Sequence, residues 1–264
     1  MFVDDTLSQR IFEQNREFFS GLALAAARSG LDVEPCYLDT GSTIAFFGGP
    51  GNPLSQANGA FTPEDIGSVS AFYSGRAPEW EALLTPFAHS DAHDRLCKIG
   101  AESSGWESVL VRDPADPLPN WDCPSEIRFE RIQPDQIDLW LDVSCRSFFG
   151  SERSEGVDMM NRLMRNADNI YGYLGYWNGE VAAAASITPG LDCRVDFLGG
   201  MGTFPEYRGR GLQMAAIRRR LQELSPDVEI VTMGAKPGSP SHRNAERAGF
   251  RVAYSQLSLR VPVR

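Results

Sequence analysis

The sequence predicts an α/β protein with mixed β-sheets, arranged as two domains in series, and three observations predict it. Strand-like and helix-like apolar periodicities alternate from residue 126 to residue 260. Pro114, Pro117, Pro119 and Pro124 cluster between Arg112 and Ser125, where they break regular structure and mark a linker. A glycine- and arginine-rich turn at 208–211 joins a strand pattern to an amphipathic helix pattern. The 264 residues suffice for two cores. The expected division is a first domain over 1–118, a linker over 119–125 and a second domain over 126–264.

In chain order, Leu7, Ile11, Phe18, Leu22 and Ala25 recur at helical spacing, predicting a long helix over Leu7–Arg28 with Gly30 as its stop. Short apolar blocks follow at Thr43–Phe47 and Val69–Tyr73, with a turn at GGPGNP, Gly48 to Pro53, between them. Trp80–Phe87 reads as a strand or short helix, Asp91–Gly100 as a helix and Trp106–Val111 as a strand. In the second domain, strands are expected at Ile127–Ile132, Ile170–Trp177, Val181–Ile187, Val195–Phe204, Val228–Met233 and Phe250–Leu259. Helices are expected at Pro134–Cys145, Val157–Asn166, Gly209–Leu224 and Pro240–Ala248, and Asn178-Gly179 signals a hairpin turn.

A hydrophobic fraction of 42% and a charged fraction of 23% exclude disordered and collagen-like classes. The longest small-apolar stretches fall short of a membrane span, and MFVDDTLSQR lacks a secretory h-region, so a cytoplasmic location is the expectation. The 5 cysteines lie far apart without a C-x-x-C, which favours reduced thiols over a disulfide framework or zinc cage. His89 and His93 are spaced for one helix face but lack a nearby third ligand, so no metal is expected. Residues 1–125 carry 7 basic against 18 acidic side chains, whereas residues 207–264 carry 11 basic against 4 acidic. Positive potential concentrated near the end suits a phosphate-bearing small ligand. The acidic first half would repel a polyanion, and no basic-aromatic stacking motif accompanies the arginines, so nucleic acid is not an expected partner.

The informative loop is Thr203 to Gln213, TFPEYRGRGLQ. A strand that feeds a glycine-flanked turn into a helix leaves the first helical N–H groups unpaired and aimed at one spot, where an anion binds. Gly209 and Gly211 let a diphosphate approach the backbone, and Arg208 and Arg210 can pair with it. This stretch resembles the acyl-CoA-binding motif of the GCN5-related N-acetyltransferases, Arg/Gln-x-x-Gly-x-Gly/Ala. Arg208 and Gly211 match, while Gln213 replaces the usual Gly or Ala and crowds the turn. The order of elements over about residues 126–260 also matches, including the Ala-Gly-Phe ending at Phe250.

The resemblance implies a GNAT fold for the second domain and assigns cofactor contacts to Met201, Thr203, Arg208, Gly209, Arg210, Gly211, Leu212, Gln213, Ser239 and Ser241. Acetyl-CoA or another acyl-CoA would be the cosubstrate. The family's long strand splays before this loop, with Gly199, Gly200 and Gly202 as bulge positions and a backbone N–H near Met201 as oxyanion donor. Ser239 also reads as a helix N-cap before Pro240. Many relatives carry a tyrosine acid where this chain has Ala245. Candidates for acid or base are therefore Asp196, His242, Ser239, Ser241 and Tyr254. Phe197 stands nearer the usual position of the strand carboxylate than Asp196 does.

The first domain lacks the loop motif but resembles the first half of two-lobed acetyltransferases, implying a degenerate GNAT-like copy. It would wall the acceptor pocket, its acidity favouring a cationic amine. The leading expectation is an acyl-CoA-dependent N-acyltransferase acting on a small-molecule amine. One alternative takes the acyl group from the phosphopantetheine of an acyl carrier protein docking near Arg218, Arg219 and Arg220. Another is a non-catalytic acyl-CoA-binding module.

Overall fold

The computed structural model describes residues 4–28, 36–118, 120–150 and 154–263. The elements run α1 (Asp5–Arg28), β1 (Cys36–Asp39), β2 (Thr43–Phe47), β3 (Gln56–Gly59), α2 (Pro63–Tyr73), β4 (Glu79–Leu84), α3 (Ala92–Lys98) and β5 (Glu102–Arg112). They continue with β6 (Ile127–Arg131), α4 (Ile137–Phe149), α5 (Glu155–Arg165), β7 (Tyr171–Trp177), β8 (Glu180–Thr188), β9 (Val195–Thr203), α6 (Leu212–Leu221), β10 (Ile230–Ala235), α7 (Pro240–Arg247) and β11 (Arg251–Pro262). Single 3-10 turns precede α4 and α6, at Pro134–Gln136 and Pro205–Tyr207. The Gly30 stop and Pro119 lie outside the described residues.

These residues form two compact units, divided differently from the expected 1–118, 119–125 and 126–264. The C-terminal unit comprises 109–150 and 168–253; the N-terminal unit comprises 4–108, 154–167 and 254–263. The expected linker at 119–125 therefore lies within the C-terminal unit. Two local features account for the difference. Helix α5 meets the 48–52 turn at Gly156, where a Cβ would collide with the Gly51 carbonyl. The far half of β11 pairs antiparallel with β4, from Leu257 opposite Leu84 to Pro262 opposite Glu79. Both segments follow the expected linker in sequence yet belong to the N-terminal unit.

In the C-terminal unit the strand order is β5-β10-β9-β8-β7-β6. β9 and β10 are parallel and the pairs from β9 to β6 are antiparallel. Leu198, Ile217, Val231, Met233 and Phe250 are among its buried core. The Asn178-Gly179 turn has φ of 50° and 84°, the left-handed pair that a two-residue hairpin requires. In the N-terminal unit β1, β2 and β3 are antiparallel neighbours, β3 and β4 are parallel, and β11 completes the described ladder. Its core includes Phe61, Val69, Tyr73, Trp80, Leu96 and Leu259.

The apolar block Val69–Tyr73 is the end of α2, fixed by a capping box upstream: the Thr62 hydroxyl accepts from the Asp65 amide and the Asp65 carboxylate accepts from the Thr62 amide. Trp80–Phe87 resolves as strand β4. The predicted helix Gly209–Leu224 is shorter, because Gly211 holds φ at 90° and helical structure starts at Leu212.

Candidate active site

Strands β9 and β10 pair from Val195–Ile230 to Phe197–Thr232, and the ladder stops there although both strands continue. Just beyond, β9 carries a bulge against β8: Ala184 faces Gly202 and Ser186 faces Gly199, so Ala185 opposes both Gly200 and Met201. Gly200 sits at φ 58°, and a Cβ there would lie 2.8 Å from Ser186 Oγ. The bulge thus falls within the glycine-rich stretch where the sequence placed it.

A fully buried arginine underlies the bulge. Arg220 Nη1 donates to the Ser186 carbonyl at 2.9 Å and to the Gly199 carbonyl at 3.0 Å, and its Nε donates to the Ala216 carbonyl at 3.0 Å. Its Nη2 is buried without a hydrogen-bond partner among the described residues. Burial pushes this guanidinium down to about 10. Arg220 is therefore no part of an exposed triplet: Arg219 pairs with Glu223, and Arg218 donates to the Trp121 carbonyl.

A cleft of about 1120 Å³ opens at this splay. Met201, Gly202 and Thr203 form one side, Gly209, Gly211, Leu212 and Gln213 another, and Ser241, Asn244 and Arg247 of α7 a third. Gly211 is the N-cap of α6, which has no side-chain cap and no acid in its first turn. Helices α2, α5 and α7 are capped by the side chains of Thr62, Ser154 and Ser239, whereas α3 and α4, like α6, lack a side-chain cap but carry Asp94 and Asp138 in their first turns. The first amides of α6 thus open into a cleft lined by Arg208 and Arg247, with no carboxylate among its described lining residues. Trp121 covers Gly211: a Cβ on that glycine would lie 2.8 Å from its ring.

The expected contacts at Met201, Thr203, Arg208, Gly209, Gly211, Leu212, Gln213 and Ser241 all line this cleft. Arg208 is held by Nε donating to the Thr203 carbonyl at 3.1 Å and Nη2 to the Ser147 carbonyl at 3.4 Å. Gln213 does not crowd the turn as expected. Its side chain lies sideways, Nε2 donating to Ser241 Oγ at 2.7 Å and Oε1 accepting from Asn244 at 2.8 Å, and so ties α6 to α7.

Other expected residues stand elsewhere. Arg210 is not among the lining residues; its guanidinium lies 4.9 Å from the Trp177 ring centroid and 5.6 Å from that of Tyr207. Ser239 is the N-cap of α7, accepting from the His242 amide at 3.2 Å. His242 is off the lining on α7, with Nδ1 accepting from the Gly238 amide at 3.4 Å and Nε2 buried without a partner among the described residues. Asp196, expected as a base, is buried and accepts from the Ser225 amide at 2.8 Å and hydroxyl at 2.9 Å, which fixes the chain after α6. Burial raises its carboxyl despite those bonds. Tyr254 belongs to the N-terminal unit and lines a different cavity. Trp121, Ser147, Phe148, Tyr207, Asn244 and Arg247 line the cleft without any sequence expectation. Only Asn244 and Arg247 carried a signal, since both share a face of the predicted α7 with Ser241.

In the N-terminal unit the helix that follows the parallel-paired strand β3 is α2, and its first turn carries its own carboxylate, Asp65. Asp65 Oδ2 accepts from Thr62 N at 2.9 Å, Ser42 Oγ at 2.9 Å and Thr43 Oγ1 at 3.1 Å. Burial works against ionisation, but these donors outweigh it and hold the carboxyl below its usual range. A built-in carboxylate thus occupies the position that an external anion would need.

His89 and His93 engage local partners: His89 Nδ1 accepts from the Asp91 amide and His93 Nδ1 faces Asp94. Among the described residues, no group of three or more His, Cys, Asp or Glu is placed to hold a metal ion, and no helix is long and apolar enough to cross a membrane.

Comparison with known proteins places the fold. A GCN5-related N-acetyltransferase from Kribbella flavida aligns at TM-score 0.64 with 15% identity, over 93% of this chain and 95% of its own. An acetyltransferase of the GNAT family from Novosphingobium aromaticivorans aligns at 0.56 with 18% identity, over 92% and 96%. A tandem GNAT protein from the clavulanic acid biosynthesis pathway aligns at 0.56 with 14% identity, over 100% and 97%. No protein-family model and no curated protein matches the sequence. The chain has the fold of the GCN5-related N-acetyltransferases, and a tandem GNAT protein is among the structures that cover it.

Proposed function

We propose that the C-terminal unit binds an acyl-CoA and transfers its acyl group to the amine of a small molecule. The observation that carries this reading is the uncapped start of α6, open to a cleft lined by Arg208 and Arg247 and free of carboxylates among the described lining residues. The amides of Leu212 and Gln213 would receive the diphosphate, while Arg208 and Arg247 add charge. Backbone groups of Met201 and Thr203, released from pairing with β10, would bind the pantetheine amides and offer an oxyanion donor.

In the transfer, the amine nitrogen bonds to the thioester carbonyl carbon, the C–S bond breaks with its electron pair on sulfur, and the amine proton leaves to solvent or a base. Tyr207 and Ser241 supply hydroxyls on the cleft that can return a proton to the thiolate. Ser241 keeps that capacity because it accepts, rather than donates, in its bond with Gln213.

One observation favours a second reading, acyl-CoA binding without turnover: no His, Asp, Glu, Lys or Cys is among the described residues that line the cleft. Thiol release from acetyl-CoA, followed with a panel of small amines, separates the two. Amine-dependent release supports the transferase, and CoA binding without release supports the binding module. The carrier-protein donor is disfavoured by the burial of Arg220 and the pairing of Arg219.

A further inference from the structure

A second cavity, of about 160 Å³, lies in the N-terminal unit at the end of its parallel strand pair, bounded by Asn58 of β3 and by Thr85 just past β4. Two polar side chains that line it are more than nine-tenths buried and lack hydrogen-bond partners among the described residues. Asn58 is 5% exposed and Tyr254 is 8% exposed. Buried polar groups are normally satisfied, so a carboxamide and a phenol left open toward one cavity call for an occupant.

The lining also specifies that occupant's chemistry. No charged side chain is among the described residues that line the cavity, and Phe12, Phe87 and Tyr254 supply aromatic surface, with the Phe87 and Tyr254 rings edge to face at 5.6 Å. Ser42 spends its proton on the ionised Asp65, so its lone pairs remain as acceptors. Asn58 Oδ1 and the Tyr254 oxygen add two more. Arg16, whose guanidinium lies over the Phe12 ring, is already engaged by Glu13, Asp39 and the Gly41 carbonyl. An anion meets no cation among the described lining residues, whereas an ammonium group finds acceptors and aromatic faces together.

We infer that this cavity is a binding site for a small primary ammonium compound, held by Asn58, Ser42 and Tyr254 against the Phe12 and Phe87 rings. The site stands whether or not the larger cleft turns over acyl-CoA.

Calorimetry of the full chain with benzylamine, benzyl alcohol and benzoate tests it. Benzylamine is expected to bind, benzyl alcohol more weakly and benzoate not at all. Tyr254→Phe and Asn58→Leu are each expected to weaken benzylamine about tenfold, as the loss of a hydrogen bond to a charged group does. Thr85→Val, which keeps shape, serves as a further lining variant should Asn58→Leu fold poorly, and should weaken binding less. Arg208→Ala, in the other cleft, should leave benzylamine affinity unchanged. Absence of heat at millimolar benzylamine, equal binding of benzoate, or ordered waters alone joining Asn58 to Tyr254 in crystals soaked with benzylamine would overturn the assignment.

Discussion

The Arg220 guanidinium donates to the Gly199 carbonyl at 3.0 Å, at the point where β9 leaves its partner and bends toward the cleft. The same Nη1 holds Ser186 across the bulge. Two carbonyls at the edge of the bulge are thus held by one buried cation whose described hydrogen-bond partners include no carboxylate. A buried charge without a counter-ion costs several kcal/mol, about the scale of a whole domain's margin, so the fold keeps it for a geometric return.

Arg220→Lys should therefore fold yet bind CoA about tenfold more weakly, because one ammonium cannot reproduce the planar fork. Amide hydrogen exchange over Gly200–Thr203 should rise in the same variant. Ile217→Ala, a buried neighbour on α6, serves as a stability-matched control and should retain CoA affinity. Unchanged exchange over β9 in Arg220→Lys would remove the positioning role.

Gly211→Ala places a side chain at φ 90° and 2.8 Å from the Trp121 ring. The strained backbone should cost about 1–3 kcal/mol, seen as a lower Tm, and displacement of Trp121 should weaken CoA binding. Retained Tm and affinity would show that neither the left-handed cap nor the ring contact matters.

Asp65 has a carboxyl held below its usual value, so its contribution to stability is present above the unfolded-state pKa and lost as pH falls through the folded one. The wild-type chain should lose stability below about pH 4, and Asp65→Asn should flatten that acid limb. The variant should also unfold more easily at neutral pH, by about 1–3 kcal/mol, because Thr62, Ser42 and Thr43 lose their charged acceptor. Denaturant melts at several pH values check both.

Asp196→Asn separates a structural carboxylate from a general base. Loss of the Ser225 bonds should reduce stability by about 1–3 kcal/mol while the pH profile of any turnover keeps its shape. A rate loss of about a hundredfold or more without a stability change would restore the base assignment.

The periodicities were legible because they are local: α1, β7 to β9 and α7 appear within a few residues of where apolar spacing, the Asn178-Gly179 turn and the Ser239-Pro240 start put them. The turn before α6 was legible for the same reason, since a left-handed Gly211 and a helix start without a capping side chain are both written in adjacent residues. Burial and partnership were not. Asp196 and Arg220 look like exposed charges in one dimension, and only the β8–β9 bulge and the chain after α6 give them partners. The unit boundary escaped because α5 and the end of β11 pair with segments far away in sequence. Short β1 and β3 lack enough alternation to stand out.

Titration calorimetry of the full chain with coenzyme A bears most directly on the central claim. One site per chain is expected, because Asp65 already caps α2 with a carboxylate of the chain's own, and affinity should be lost when Gly211→Asp puts a carboxylate at the start of α6. No heat from the wild-type chain, or undiminished binding by Gly211→Asp, would contradict it.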